Sequence, residues 1–205
     1  MSILPSTILI ATRNRDKVVE ISDLLKHHRI QVKSLRDYPD FPPIEENGAT
    51  LEENAIYKAK VGFEATGFPT LADDTGLEVE ALGGAPGVRS ARYSGPGATY
   101  ESNVRKLLDE MKGFKDYQRN ARFRCVIALV WKDGLKVVEG RVEGTILREP
   151  RGSGGFGYDP IFLHAPTGFT FAEMPLSLKN QFSHRSSAMK QIVQFIISKN
   201  SPVVI

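Results

Sequence analysis

Residues 121–147 read ARFRCVIALVWKDGLKVVEGRVEGTIL, and this stretch decides the fold class. Two long strand-like runs, at about 121–131 and 135–147, flank the tripeptide KDG at 132–134. Asp-Gly between two such runs is a strong signal for a tight hairpin turn. The stretch therefore predicts two antiparallel strands that pair within one sheet.

Strand and helix signals alternate on the N-terminal side of this hairpin. The apolar run 8–11 predicts a buried strand, and the polar residues 12–17 lead from it into apolar positions at helical spacing. A second helix is predicted after Thr50, because Thr50 and Glu53 match a capping box and Gly67 can end the helix.

The remaining segments have shorter patterns. Residues 30–48 contain Pro39, Pro42 and Pro43 and are predicted to be irregular. Short strands are expected at 69–72 and 77–81, on either side of the turn-like sequence DDTG. Three further elements are expected: a helix after Thr99, a short strand at 160–163, and a last helix from about Ser186 with Met189, Ile192, Val193, Ile196 and Ile197 on one face.

This mixture of strands and helices, with one antiparallel hairpin, indicates an α/β or α+β fold with a mixed sheet. A chain of 205 residues suits one domain, 1–205, built as a single body or as two small lobes around one core. The sequence contains no internal repeat and no linker of low complexity.

Composition excludes several classes of protein. Hydrophobic residues make up 41% of the chain and charged residues 25%, which argues against disorder. The only cysteine, Cys125, lies in the apolar run CVIALVW, which favours a buried inert thiol over a catalytic one. No apolar run approaches the length of a membrane span, and the N-terminus does not resemble a signal peptide, so we expect a cytoplasmic protein without membrane contact. The net charge of +3 comes from scattered basic residues, which disfavours nucleic-acid binding and weakly favours an anionic ligand.

The polar loop after the first strand is a candidate phosphate site. It reads Thr12-Arg13-Asn14-Arg15-Asp16-Lys17. Backbone amides at a helix N-terminus attract anions, and Lys17, one turn into the helix, adds a positive charge. The glycines of a Walker loop are missing. The alternative is structural: Thr12 or Asn14 only caps the helix, and Lys17 is solvated.

Two acidic segments contain candidate metal ligands. They read Glu45-Glu46-Asn47-Gly48 and Ala72-Asp73-Asp74-Thr75-Gly76. Carboxylates at the end of a buried strand are costly unless they meet a cation or hydrogen-bond donors. Such oxygen ligands suit Mg²⁺, and the same groups can orient or deprotonate a water. The alternative is a plain turn, for which Asp-Asp-Thr-Gly is good chemistry.

The segment 152–160, GSGGFGYDP, is a candidate pocket for a nucleotide base. Its glycines let the backbone approach a ligand closely, Phe156 or Tyr158 can stack on a base, and Asp159 can accept from a ring N–H. The alternative is a flexible turn with core aromatics.

A second basic edge comes from Lys179 and from His184 and Arg185 beside the last predicted helix. Cations are unfavourable at a helix N-terminus, so an anion or a carbonyl group close by would explain them. The alternative is ordinary surface charge.

Together these segments form the inventory of a Mg²⁺-dependent nucleotide enzyme. In these segments the chain resembles the inosine-triphosphate pyrophosphatase family, also called the XTP/dITP diphosphatases. The matching strings, in the family's order over about residues 8–197, are ATRNRDK, GATLEENAIYKAK, ADDTGLEVEALGGAPGVRSARYSG, FGYDPIF and AEMPLSLKNQFSHR.

The resemblance implies an elongated mixed α/β fold with a central sheet, helices in two lobes and a substrate cleft between the lobes. It also implies a homodimer. The implied reaction is hydrolysis of ITP, dITP and XTP between the α- and β-phosphates with Mg²⁺, which cleanses the nucleotide pool.

The resemblance further implies roles for individual residues. The stretch 12–17, with Thr12, Asn14 and Lys17 at its matching positions, falls on the phosphate-binding stretch. Asp74 matches the proton acceptor and, together with Glu45, the metal ligands; Glu53 is a further candidate to support the metal. The residues that fall on the nucleotide pocket are Thr75, which keeps a hydroxyl where many members have Ser, and Phe156, Gly157, Tyr158, Asp159, Lys179, His184 and Arg185.

These assignments give a mechanistic hypothesis. Mg²⁺ and Lys17 neutralise the phosphates, and Asp74 orients the attacking water, with Asp73 as an additional candidate for that role. A donor such as Arg185 or a backbone N–H, placed at the 6-keto oxygen of the base, would reject adenine. Two other classes compete: a non-catalytic nucleotide sensor, which would lack an acidic ligand, and a nucleic-acid-binding protein, which would need a basic face.

Overall fold

The computed structural model of the protein describes residues 7–28 and 30–200. The strands in this part of the chain are β1 (Thr7–Ile10), β2 (Gln31–Ser34), β3 (Thr70–Val79), β4 (Asn120–Trp131), β5 (Gly134–Ile146), β6 (Phe162–His164) and β7 (Phe169–Thr170). The α-helices are α1 (Arg15–Leu25), α2 (Leu51–Thr66), α3 (Tyr100–Glu110), α4 (Leu176–Phe182) and α5 (His184–Asn200). Short 3-10 helices lie at Leu35–Asp37, Glu80–Leu82, Gly87–Arg92, Asp116–Gln118 and Asp159–Ile161.

The seven strands form one sheet in the order β2-β1-β3-β4-β5-β6-β7. Strand β1 pairs in parallel with β2 and β3, whereas β6 pairs antiparallel with β5 and β7. The sheet is therefore mixed, which confirms the predicted fold class. In the β1–β3 register, Ile10 lies opposite Leu71. The loop that follows β1 consequently begins beside the acidic part of β3.

The predicted hairpin is present as β4 and β5, which are neighbours in the sheet and are joined by Lys132 and Asp133. Both strands begin and end within about two residues of the predicted bounds. Local sequence was sufficient here, because the Asp-Gly turn and the two long runs all favour the same structure.

Several other segments differ from the sequence-based expectation. Strand β2 and a short 3-10 helix lie in the segment that was predicted to be irregular, and β7 and α4 were not predicted. The sequence DDTG is not a turn, because β3 runs through it without interruption. The short strand predicted at 160–163 begins only at Phe162. Strand β2 is only four residues long and depends on pairing with β1, a partner that is distant in sequence.

The helix ends follow the predicted capping chemistry in part. The Thr50 hydroxyl accepts from the Glu53 amide at 3.1 Å, and Gly67 ends α2 with a φ of +70°. The Glu53 carboxylate accepts instead from the amide of Ala49 at 2.7 Å. Helix α5 begins two residues before the predicted start, and Ile197, which was expected in its buried face, is 51% exposed.

The described chain divides into two compact units, and each has its own core. The first unit comprises the described residues up to Asp74, residues 125–140 and the residues from Arg185 onward. Its core packs β1, β3 and β4 against α1 and α5, with Ile10, Ile127 and Ile192 among the fully buried side chains. Each such side chain contributes about 1.5–3 kcal/mol by leaving water.

The second unit comprises residues 75–124 and 141–184. Its core contains Leu107 of α3 and an aromatic cluster of Phe123, Phe162 and Phe171. The ring centroids of Phe123 and Phe162 are 4.6 Å apart. The expectation of a single domain with a cleft between two lobes stays a prediction. Within the described residues, no helix combines the length and the apolar character that a membrane crossing requires.

Candidate active site

The loop between β1 and α1 is ordered by its own side chains. The Asn14 carboxamide oxygen accepts from the amides of Asp16 and Lys17, at 2.9 and 3.2 Å, and the Asn14 amide donates to the Thr12 hydroxyl at 3.1 Å. Asn14 therefore caps α1, as the structural alternative expected, and its role in phosphate binding stays a prediction. The amides of Asp16 and Lys17 already have partners, so the expectation that the loop offers free amides was wrong for these two groups.

Arg13 and Arg15 are exposed, and Asp16 is half-buried. The Arg13 guanidinium donates to the carbonyl oxygens of Tyr38, Pro39 and Phe41, at 3.3, 3.1 and 2.5 Å. Arg13 thus fastens the segment 38–41 to the loop after β1, and its side chain has a structural use of its own.

Lys17 is not solvated in the way that the alternative supposed. Its ammonium group lies 3.1 Å from Oδ2 of Asp73, and its side chain is 17% exposed. The amine is therefore ordered by a carboxylate of β3, and part of the side chain stays exposed.

The buried carboxylate of Asp73 is compensated by two cations, Lys17 and Arg185. Its residue is 1% exposed, and Oδ2 accepts from Nε and Nη2 of Arg185 at 3.2 and 2.9 Å as well as facing Lys17. Burial by itself would raise the pKa of the Asp73 carboxyl, but Lys17 and Arg185 outweigh burial and hold the pKa well below its usual range. Asp73 stays ionised.

Arg185 is 1% exposed, so the surface-charge alternative was wrong for it. Its Nη1 atom donates to Glu20 of α1 at 2.5 Å, and its other nitrogens bind Asp73. These two carboxylates explain how a cation is tolerated in the first turn of α5. The guanidinium is committed within the first unit, which argues against the predicted direct contact between Arg185 and the base.

Asp74 is also buried, and its two side-chain partners from α2, Lys58 and Asn54, were not predicted from the sequence. The ammonium of Lys58 binds Asp74 Oδ1 at 3.0 Å, Glu46 Oε1 at 2.5 Å and the Asp73 carbonyl at 2.8 Å. Asn54 donates from Nδ2 to Asp74 Oδ2 at 3.1 Å. Burial is the largest influence on the Asp74 carboxyl and raises its pKa, although Lys58 opposes this shift.

Lys58 and Asn54 come from α2, and their spacing is a signal that was available in the sequence. Residues four apart lie on one face of a helix, so both side chains can point at the same strand. The Lys58 residue is 5% exposed, and burial alone would lower its pKa, but the carboxylates of Asp74 and Glu46 raise it. Lys58 is therefore a permanently charged ammonium at the centre of the acidic segments.

The predicted metal ligand Glu45 is exposed and accepts from the side chain of Asn47 at 3.0 Å. It lines a pocket of the first unit together with Pro43, Asn47, Gly48, Glu53, Asn54 and Tyr57. Asn54 lines this pocket and also donates to Asp74, so its side chain connects the pocket lining with the Asp74 carboxylate. Among residues 7–28 and 30–200, no group of three or more His, Cys, Asp and Glu side chains could hold a metal ion.

The Gly-aromatic segment lies in the second unit and is organised by Asp159. The Asp159 carboxylate accepts from the Phe156 amide at 2.8 Å and from the Lys179 ammonium at 2.5 Å. Asp159 and Lys179 are each 3% exposed. Gly155 has a φ of +65°, and a Cβ at this position would collide with the Asp159 carboxylate. The segment is therefore a built loop rather than a flexible turn.

The two candidate stacking residues differ in exposure. Phe156 and Gly157 are half-buried, and the Lys179 ammonium lies 4.9 Å from the Phe156 ring centroid. Tyr158 is 5% exposed, and its hydroxyl donates to the Ser90 carbonyl at 3.0 Å. Phe156 is consequently the more exposed of the two rings, and it also contacts Tyr100, with ring centroids 5.8 Å apart.

Two predicted site residues remain. Thr75 is half-buried in β3, directly after Asp74, and belongs to the second unit. His184 is 3% exposed and stacks on Phe123, with ring centroids 4.6 Å apart and an interplanar angle of 17°. His184 therefore joins the aromatic core of the second unit, and the surface-charge alternative was wrong for it as well.

Comparison with known proteins places this arrangement in a family. A model of the Ham1 family matches residues 8–195. A dITP/XTP pyrophosphatase of Geobacter sulfurreducens is 50% identical over 183 residues, which cover 89% of this chain and 92% of that protein. A second one, of Bacillus subtilis, is 44% identical over 195 residues, which cover 95% of this chain and 98% of that protein.

Solved structures agree with these matches. A HAM1 protein from Coxiella burnetii has a TM-score of 0.84 and 40% identity, over 94% of this chain and 98% of that one. The Staphylococcus aureus Ham1 protein has a TM-score of 0.82 and 37% identity, over 94% and 99% of the two chains. The resemblance inferred from the motifs is thereby confirmed, and the chain belongs to the Ham1 family.

Proposed function

We propose that the protein hydrolyses the non-standard purine nucleoside triphosphates dITP, ITP and XTP to the monophosphate and pyrophosphate, and so cleanses the nucleotide pool. The observation that carries this proposal is the buried charge cluster of the first unit, in which Lys17 and Lys58 meet the adjacent carboxylates of Asp73 and Asp74. The relatives that are named dITP/XTP pyrophosphatases support the substrate class.

Lys17 is proposed to bind the phosphates. Its ammonium is held 3.1 Å from Asp73 and keeps 17% of the side chain exposed. Ordering of the amine before the substrate arrives lowers the entropic cost of binding. The N-terminus of α1 adds the positive end of its dipole.

Asp74 is proposed to orient and deprotonate the attacking water, and the structure favours it over Asp73 for this role. Lys17 and Arg185 hold the pKa of Asp73 low, which makes that carboxylate a poor proton acceptor. Burial raises the pKa of Asp74, and a carboxylate with a raised pKa is a better general base. Lys58 and Asn54 fix the two oxygens of Asp74 in place.

Mg²⁺ is proposed as the cofactor, and the donor chemistry fits it. Glu46 and Asp74 converge on one ammonium group, so the segment that carries Glu45 is brought close to Asp74. Glu45 and Asp74 would hold the ion, with positions left for phosphate oxygens and water, which is the usual pattern for Mg²⁺. When bound, the ion neutralises charge on the phosphates.

Phe156 is proposed to stack on the purine, and Asp159 and Lys179 are proposed to hold the loop that presents it. This assignment rests on the half-buried ring of Phe156 and on the buried ion pair beneath it. Base–aromatic stacking contributes about 1–3 kcal/mol and tolerates any base. Selectivity must therefore come from hydrogen bonds at the edges of the purine.

The proposal is tested by measuring pyrophosphate release from dITP, XTP, dATP and dGTP, with and without Mg²⁺. We expect hydrolysis of dITP and XTP in preference to the standard nucleotides, and only with the metal. In Asp74→Asn, turnover should be lost while dITP binding, measured by calorimetry, is largely kept. Pyrophosphate release by Asp74→Asn at near the parental rate would contradict the role of Asp74. Binding without hydrolysis by the parent protein would identify a nucleotide sensor instead.

The homodimer implied by the resemblance is proposed as the solution state. Light scattering coupled to gel filtration measures it directly. A mass of about 22.7 kDa across the accessible concentrations would reject the dimer.

A further inference from the structure

One sequence motif has no part in the proposed chemistry, namely the loop 83–92 with the sequence GGAPGVRSAR. This loop packs onto the second half of β3 through backbone contacts. The amide of Val79 donates to the Ala85 carbonyl at 3.1 Å, and the amide of Gly84 donates to the Val79 carbonyl at 3.0 Å. At Gly76, a Cβ would lie 2.6 Å from the Gly87 carbonyl oxygen, so only glycine allows this close approach.

Ser90 fastens this loop to the strand through its side chain. The hydroxyl donates to the Gly87 carbonyl at 2.6 Å and accepts from the Leu77 amide at 2.9 Å. The residue is 6% exposed, so water is a poor substitute for either bond. The hydroxyl thus accepts the hydrogen bond of a backbone amide of β3, two residues after Thr75, in the place of a neighbouring strand.

The backbone of Ser90 makes the connection to the base loop. Its carbonyl accepts from the hydroxyl of Tyr158 at 3.0 Å, and Tyr158 is 5% exposed. Burial raises the pKa of the Tyr158 phenol, so the hydroxyl stays protonated and remains a donor. Ser90 is therefore bonded on one side to the strand that carries Thr75 and on the other side to the loop that carries Phe156.

We propose that Ser90 is a positioning residue for base recognition, which holds Tyr158, and through it the Phe156 loop, in register with the Thr75 end of β3. This proposal rests on the proposed function, because it assigns Ser90 a part in purine selectivity. Ser90 touches neither substrate nor metal in this scheme and acts only through Tyr158 and Leu77.

The test compares Ser90→Ala with Ser94→Ala, a matched control in the same region. The Ser94 hydroxyl bonds to the Ser102 hydroxyl at 2.7 Å and does not belong to the path from Leu77 to Tyr158. Ser90→Ala removes both hydrogen bonds of the hydroxyl. We expect it to lower the ratio of kcat/KM for dITP over dATP by about fivefold, mainly through the KM for dITP. Ser94→Ala should leave the ratio unchanged.

The ratio is the decisive quantity, because a merely structural role cannot change it. A variant that is partly unfolded loses activity toward both substrates equally. A ratio within twofold of the parent value in Ser90→Ala, or an equal change in Ser94→Ala, would overturn the proposal.

A second measurement tests the Ser90–Tyr158 connection without any activity. In urea unfolding, Ser90→Ala and Tyr158→Phe should be non-additive in the double variant, because both weaken one connection. Additive effects would refute it. If the variants couple but the parent protein does not hydrolyse dITP, the proposed function fails and the connection stands.

Discussion

Replacement of Lys58 by Met should destabilise the protein strongly, because it removes the buried ammonium of α2 that binds the Asp74 carboxylate. Met has a similar length and no charge. The Lys58 ammonium binds Asp74, Glu46 and one backbone carbonyl, and its side chain is 6% exposed. The substitution leaves the Asp74 carboxylate, whose side chain is 7% exposed, without its closest cation.

The magnitude follows from the geometry. At 3.0 Å, the attraction between the ammonium and the Asp74 carboxylate is about 5–6 kcal/mol with an effective dielectric constant of about 20. Desolvation of both groups offsets part of this attraction, and removal of one partner of a buried pair costs about 3–5 kcal/mol. The Glu46 side chain is 30% exposed, so its pair with Lys58 adds about 1 kcal/mol or less.

Urea unfolding followed by circular dichroism measures this loss as a free energy of unfolding. The matched control is Lys112→Met, which removes an ion pair with Asp109 whose side chains are 77% and 55% exposed. This control should change the free energy of unfolding by less than about 0.5 kcal/mol. The contrast between the two lysines isolates the effect of burial.

The double variant Lys58→Met with Asp74→Asn supplies the refutation. Neutral Asn removes the carboxylate charge that Lys58→Met leaves unpaired. The free energy of unfolding of the double variant should therefore be about 2 kcal/mol higher than the value expected if the two single losses added. Additivity within about 0.5 kcal/mol would show that the two side chains are not coupled. A Lys58→Met protein as stable as the parent would contradict the buried ion pair itself.

Four further outcomes are expected. Lys17→Ala should raise the KM for dITP and lower kcat in the pyrophosphate assay, and parental kinetics would contradict its phosphate role. Arg119→Met should lower the free energy of unfolding by about 2–4 kcal/mol, because the buried guanidinium donates to three backbone carbonyls at 2.7–2.9 Å; an unchanged urea midpoint would refute this. Gly155→Ala should lower kcat/KM for dITP, because a Cβ would collide with Asp159 and disturb the Phe156 loop, whereas the affinity for pyrophosphate, which depends on Lys17, should change little; a parental kcat/KM would argue against a role of that loop in base binding. A hydrogen bond from the Thr170 backbone and the charge of Arg151 lower the pKa of Glu173, so the ionised carboxylate stabilises the folded protein above about pH 4 and loses this effect at lower pH. Between pH 6 and pH 3 the melting temperature of Glu173→Gln should therefore fall less than that of the parent, and equal falls would refute this.

Local sequence was sufficient for elements whose own residues carry the signal. The hairpin of β4 and β5 has a turn dipeptide between two long runs, and α2 has Thr50 and Gly67 at its ends. Strand β2 has no such signal, since four residues of alternating character form a strand only when β1 lies alongside. Pairing between distant segments is not encoded in a local pattern.

The sequence DDTG shows the same limit at the site. Its residues favour a turn when considered locally. In the structure they continue β3, because Lys17, Lys58 and Arg185 compensate both carboxylates inside the first unit. Three cations from three different helices cannot be assigned to one strand from their spacing along the chain.

The sequence by itself determined the family, the α/β class and the residue types of the phosphate, acidic and aromatic segments. Each of these motifs consists of residues that are adjacent in the chain, so it can be recognised without the folded structure. Only the tertiary structure decided what each charged side chain does. It pairs Arg185 with Asp73, places Lys58 and Asn54 beside Asp74, and shifts the pKa values of Asp73 and Asp74 in opposite directions. The physical reason is that the charge state and partners of a buried group depend on which other groups share its low-dielectric surroundings, and folding alone brings those groups together.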